Sequence, residues 1–121
     1  MVSTRKEQGD RAEEAVARHL LDRGVEIVAR NLRVGMLEID IVARLGELIM
    51  VVEVRHRGAT SWTTCLSSIN AVKRQRIRRA GQRLWDRRFK YDATAKRMRF
   101  DVASVLYVDG EAVVEYVAAA F

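Results

Sequence analysis

Four charged side chains, Glu38, Asp40, Glu53 and Arg55, interrupt two largely apolar runs, and together they have the makings of a reactive site. Residues 37–57 read Leu-Glu-Ile-Asp-Ile-Val-Ala-Arg, then Leu-Gly-Glu, then Leu-Ile-Met-Val-Val-Glu-Val-Arg-His-Arg. β-Branched apolar runs on either side of a Gly-containing turn predict a β-hairpin. Strand side chains alternate between faces, so Glu38 and Asp40 share one face, and Glu53 and Arg55 share one face of the next strand. Register decides whether these faces coincide. With Arg44 opposite Glu47, Glu38 faces Glu53 and Asp40 is its diagonal neighbour. A loop longer by two residues puts Asp40 directly opposite Glu53, and a slip of one separates the acids. Three carboxylates on one face repel one another unless something positive sits among them. A divalent cation resolves that conflict, because Mg²⁺ takes oxygen ligands from one or two carboxylates plus water and phosphate. The competing explanation is a solvated polar face with Arg55 and Arg57 as salt-bridge partners.

Asp40, followed by Glu53-Val-Arg on the next strand, resembles the Asp…Glu-x-Lys signature of the PD-(D/E)XK nuclease superfamily. Further pieces match in order: Gly9-Asp-Arg-Ala-Glu-Glu-Ala, Ala29-Arg-Asn-Leu-Arg, Glu38-Ile-Asp-Ile-Val-Ala, Val52-Glu-Val-Arg-His-Arg, Lys73 on a helix and Arg99-Phe-Asp-Val. Over roughly residues 5 to 108 they resemble the bacterial YraN family, which is similar to archaeal Holliday-junction resolvases. The resemblance implies an α/β domain with a restriction-endonuclease-like core, a mixed central β-sheet of about five strands flanked by helices. In that scheme Asp40 and Glu53 are the metal ligands for Mg²⁺ or Mn²⁺, and Glu13 on the first helix joins them directly or through water. Arg55 completes the catalytic set where the superfamily usually has Lys. Arg stays charged and cannot act as a base, though it can clamp a phosphate bidentately. Lys73 would compensate if it reached the cluster. The chain departs from the family at Leu37 and Ala12, where Gly is usual; Gly35 supplies backbone freedom two residues before Leu37.

The elements around these residues follow from periodicity. A first helix is predicted over residues 3–23, with Ala12, Val16, Ala17, Leu20 and Leu21 as its apolar stripe and Gly24 as its stop. A strand over residues 25–33 precedes the hairpin, with Asn31 and Gly35 marking a bend. Residues 58–66 form a polar loop around Trp62, which either stacks on a base or folds over the core. A long second helix, capped by Ser67 or Ser68, runs to about Arg88 with a stripe of Ile69, Val72, Ile77, Ala80 and Leu84. Strands over residues 98–108 and 112–117 close the chain around an Asp109-Gly110 turn, and the apolar tail packs on the sheet or a second subunit. Asp101, His19 and His56 are read as structural, the histidines because they lack metal-ligand spacing.

At 121 residues the chain (1–121) is expected to be one domain. Its N-terminus lacks an apolar signal core and no run reaches membrane-spanning length, so a cytoplasmic protein with no membrane partner is expected. A single cysteine, Cys65, excludes an internal disulfide framework. The net charge of +6 points to a polyanion, and nine Lys or Arg against one acid between residues 67 and 90 place it on the second helix. Lys73, Arg74, Arg76, Arg78 and Arg79 are its candidate nucleic-acid contacts. Projection at 100° per residue puts Lys73 and Arg76 inside the apolar stripe, where a charge needs a partner or a polar cavity. Three functions compete: a metal-dependent endonuclease on branched DNA, a nucleic-acid-binding module with the same fold and little hydrolysis, and an assembly factor binding an acidic protein. DNA ranks ahead of RNA as partner, and two symmetric cuts would call for a homodimer.

Overall fold

The computed structural model describes residues 4–56 and 70–121. Arg57, the loop with Trp62 and Cys65, both serine caps and Ile69 lie outside them. Helix α1 (Arg5–Leu21) starts at Thr4, whose hydroxyl accepts from the Glu7 N–H at 3.1 Å. It buries Ala12, Glu13, Val16, Ala17 and Leu20, spaced three and four apart along one side. Leu21, expected in the stripe, is 51% exposed, because it stands about 100° round the helix from its buried neighbour Leu20, past the edge of the sheet-facing side. Gly24, at φ +77°, ends the helix by turning the chain so that the Val25 N–H reaches the Leu20 carbonyl.

Five strands form one mixed sheet in the order β1-β2-β3-β4-β5, flanked by helices as expected of an α/β domain. β1 (Glu26–Val34), β2 (Leu37–Leu45) and β3 (Leu48–His56) are antiparallel neighbours. β3 runs parallel to β4 (Arg97–Val108), and β5 (Glu111–Val117) returns antiparallel. A parallel neighbour needs a crossover, and that connection carries α2 (Ala71–Leu84), extended by one π-helical turn over Trp85–Phe89. The wider turn carries Phe89 into the core.

The helices cover opposite faces. Val16, Ala17 and Leu20 of α1 pack with Ile41, Met50, Val52, Ala103 and Val105, while Ile77, Ala80 and Leu84 of α2 pack with Ile39, Val42, Ile49 and Val51. Burying each large aliphatic side chain contributes about 1.5–3 kcal/mol, and β2 and β3 contribute to both layers because both their faces are covered. Gly81 lets Phe100 approach α2: a Cβ there would stand 2.6 Å from the Phe100 ring. Val72, read from the sequence as part of the stripe, is instead 58% exposed.

The C-terminal segment packs on the sheet. Phe121 stacks on Phe100 at 5.6 Å, and the Ala120 N–H donates to the Phe100 carbonyl. Asp101 is fully buried; it accepts two hydrogen bonds from Arg99 at 2.8 Å, one from the Tyr116 hydroxyl and one from the Ala119 N–H. That network ties β4, β5 and the tail together, the structural role expected of Asp101. The histidines do likewise: His19 stacks on Tyr116 at 5.8 Å, and His56 tilts against Tyr107 at 5.6 Å.

Candidate active site

Register is fixed by the hairpin turn. Gly46, at φ +59°, and Glu47 form a two-residue loop that pairs Leu45 with Leu48 and Ile41 with Val52. Continued by one step, this register sets Asp40 opposite Glu53, the second of the arrangements the sequence allowed, but without the longer loop expected for it: the turn keeps two residues and is moved one position on from the Leu45-Gly46 turn that Arg44 opposite Glu47 requires. Asp40 is also where β2 changes face. Ile39 packs on the α2 side and Ile41 on the α1 side, although two residues apart they would share a face in a regular strand. On the neighbouring strand the residue in register with Asp40 is Asn31, at φ +51°, a conformation that asparagine tolerates better than most residues. The sheet is therefore bent at Asn31 and Asp40, and the bend aims the Asp40 carboxylate along β3, where it accepts from the Val54 N–H at 2.8 Å.

Glu53 is the centre of the charge arrangement. It is buried, and the Lys73 ammonium stands 2.8 Å from its Oε1 while the Arg55 guanidinium lies at 3.8 Å. Lys73 reaches it because Asn70 caps α2, accepting from the Lys73 N–H at 2.9 Å and fixing the first turn above the sheet. Burial, then the neighbouring Glu53 charge, pushes the Asp40 carboxyl up to about 8, and a hydrogen bond shared with Glu53 holds the proton between them. Burial likewise raises Glu13, against a hydrogen bond from Asn31 and the charge of Arg30. Glu13 Oε2 is buried and makes no hydrogen bond. Its carboxylate lines a cavity of about 290 Å³ with Asp40, Glu53, Arg55 and Lys73. A second cavity, of about 550 Å³, opens on the α2 side of the same Asp40, Glu53 and Lys73.

The four residues of the expected catalytic set, Glu13, Asp40, Glu53 and Arg55, thus meet around one cleft, with Lys73 added. The basic helix is not brought together in the same way. Arg76 lines the larger cavity beside Lys73, whereas Arg78 lies over the Phe121 ring at 5.9 Å, Arg79 is exposed, and Arg74 lines neither cavity. Glu38 is exposed at the rim of the larger cavity. Asn31 and Asn70 gained no functional reading from sequence alone. An asparagine three residues before Lys73 was a cap signal, but nothing local marked Asn31 as the residue facing Asp40.

Two facing acids with a buried, unbonded carboxylate oxygen nearby are a donor set for a hard cation completed by water and phosphate. Among the described residues no three acidic, histidine or cysteine side chains are arranged to hold a metal ion by themselves, so any cation here would need ligands from outside the chain.

A family model described as Uncharacterised protein family UPF0102 matches residues 12–105 of the chain. The chain is similar to a UPF0102 protein of Sorangium cellulosum, 57% identical over 118 residues that span 97% of this chain and 82% of that one. It is also similar to UPF0102 proteins of Nocardia farcinica, 38% identical over 99% of this chain and 93% of that one, and of Myxococcus xanthus, 33% identical over 97% and 90%.

Proposed function

The chain belongs to the uncharacterised protein family UPF0102, and from that premise we propose that it is a metal-dependent phosphodiesterase of the PD-(D/E)XK nuclease type, acting on branched DNA. The observation that carries this reading is the convergence of Glu13, Asp40, Glu53 and Arg55 on one cavity at a bend in the sheet, with Asp40 and Glu53 sharing a hydrogen bond. A module that only binds nucleic acid gains nothing from acids placed against phosphates.

In this reading Asp40 and Glu53 hold Mg²⁺ or Mn²⁺. Such an ion would polarise a phosphodiester and lower the pKa of an attacking water. Asp40, whose carboxyl is raised by burial and by Glu53, would have to lose its proton to serve as a ligand, and a bound cation would supply the compensating charge that favours that loss. Lys73, released from Glu53, offers three donors to a phosphate oxygen or the attacking water. Arg55 stays charged and grips phosphate oxygens, so the role of the superfamily's lysine is divided between it and Lys73. Glu13 holds a water against the cleft through its free Oε2.

One observation favours a second reading. The Lys73–Glu53 pair at 2.8 Å already neutralises a carboxylate that a cation would need, which suits a binding module with little hydrolysis. The two are separated by incubating purified protein with labelled junction, flap, single-stranded and duplex substrates in Mg²⁺ and in Mn²⁺. The phosphodiesterase cleaves at least one of them, and Asp40→Asn or Glu53→Gln abolishes cleavage while binding holds or strengthens. Binding without cleavage of any substrate in either metal leaves the module.

A further inference from the structure

The larger cavity has two kinds of wall. Its apolar lining is Leu37 of β2 with Val72, Ile77 and Ala80 of α2, and its polar lining is Glu38, Asp40, Glu53, Asn70, Lys73 and Arg76. Val72, on the first turn of α2, stands at the mouth with 58% of its surface in water. α2 has no acid in its first turn, and Arg76 makes no ion pair with a described residue. An apolar wall with a cation beside it suits a molecule that carries a flat apolar part and an anionic group, which is the chemistry of a nucleotide. A phosphate alone would leave the apolar wall unused, and an acidic peptide side chain would do the same.

Size narrows the occupant. About 550 Å³ lies within the range of single small-molecule sites. A base still stacked and paired in a duplex does not enter such a space; it has to leave the stack, and apolar side chains can then take over the contact its neighbours made. Asp40 and Glu53 line both cavities, so a nucleotide in the larger one adjoins the phosphate they would act on.

We propose that the cavity between α2 and β2 is the berth of one unpaired nucleotide of the substrate strand. This rests on the phosphodiesterase reading and narrows it: the strand cut is single at the site, as in a flap or a frayed junction. Val72 and the Leu37–Ile77 wall hold the base, and Arg76 holds its phosphate.

The test uses the full chain labelled at Ile, Leu and Val methyls and followed by NMR in Ca²⁺, with thymidine 3′,5′-bisphosphate as the probe. The Leu37, Val72 and Ile77 methyls should shift to saturation with the bisphosphate and stay in place with inorganic phosphate. A short single-stranded oligonucleotide should displace the probe, and a blunt duplex of equal length should not. Because Val72 is exposed, Val72→Ser leaves the fold intact; it should weaken single-strand binding about fivefold and leave duplex binding unchanged. Methyls that ignore the bisphosphate, or respond equally to phosphate, overturn the berth. So does a duplex that displaces the probe as well as the single strand, or a single strand that fails to displace it, the mark of a site for free nucleotides. None of these readouts needs cleavage. A protein that takes up the probe here yet cuts nothing loses the phosphodiesterase reading and keeps the berth. One that cuts while these methyls stay still loses the berth alone.

Discussion

Replacing Asp40 by Asn should stabilise the metal-free protein, and should do so more at neutral than at acid pH. Asn keeps an oxygen to accept from the Val54 N–H and removes the charge that faces Glu53. The Asp40 carboxyl is raised from 3.8 to about 8 by burial and by Glu53, so the folded protein retains a proton that the unfolded chain gives up between those values. Its contribution to stability is therefore present in full below the unfolded value and is lost as pH rises through the folded one. A folded state that binds one proton more than the unfolded chain loses up to about 1.4 kcal/mol of stability per pH unit. Between about pH 5.5 and 7.5 the wild type should lose on the order of 2 kcal/mol relative to Asp40→Asn. For a chain of this length that is a change in Tm difference of about 6–10 °C. Thermal unfolding of both proteins in chelator at the two pH values measures it directly. Adding Mg²⁺ at the higher pH should then raise the Tm of the wild type and leave the variant where it was. Parallel pH curves for the two proteins would refute the buried acid pair, and an equal Mg²⁺ response would refute Asp40 as a ligand.

Asp101→Asn should cost about 3 kcal/mol or more in urea unfolding, because it leaves Arg99 without its bidentate partner in a buried network; unaltered stability would remove Asp101 as the lock on the C-terminal segment. The Tyr116 phenol is held protonated well above its ordinary value by burial and by Asp101, so stability should fall as pH climbs past about 10, where the unfolded phenol ionises first. Tyr116→Phe should flatten that alkaline limb. Binding of DNA should weaken with salt at a log–log slope of about −0.9 per phosphate contacted. Arg76→Ala should flatten it by about one unit, whereas Arg78→Ala, whose side chain lies over Phe121, should change it less; equal effects would place the phosphate path on the outer side of α2.

The sequence by itself determined what repeats over short distances. Alternation marked the hairpin and put Glu53 and Arg55 on one face, where they are found at 3.8 Å. Helical spacing found the buried side of α1, and the order of the pieces carried the family resemblance. It also flagged Lys73 as a charge misplaced in an apolar stripe, and Lys73 is the residue that reaches Glu53. Tertiary structure decided everything that depends on two segments at once. The choice among three hairpin registers fell to a two-residue turn at Gly46 and to the core packing of Ile41 and Val52, which no single strand encodes. The change of face at Asp40 depends on a left-handed residue on the neighbouring strand, Asn31, nine positions away in sequence and visible only once β1 and β2 are paired. Whether Val72 is core or cavity mouth was settled by which arc of α2 meets the sheet: Ile77, Ala80, Gly81 and Leu84 are buried, and Val72 lies roughly 120° round the helix from them, whereas the sequence alone shows apolar residues on both arcs and not which one the sheet takes.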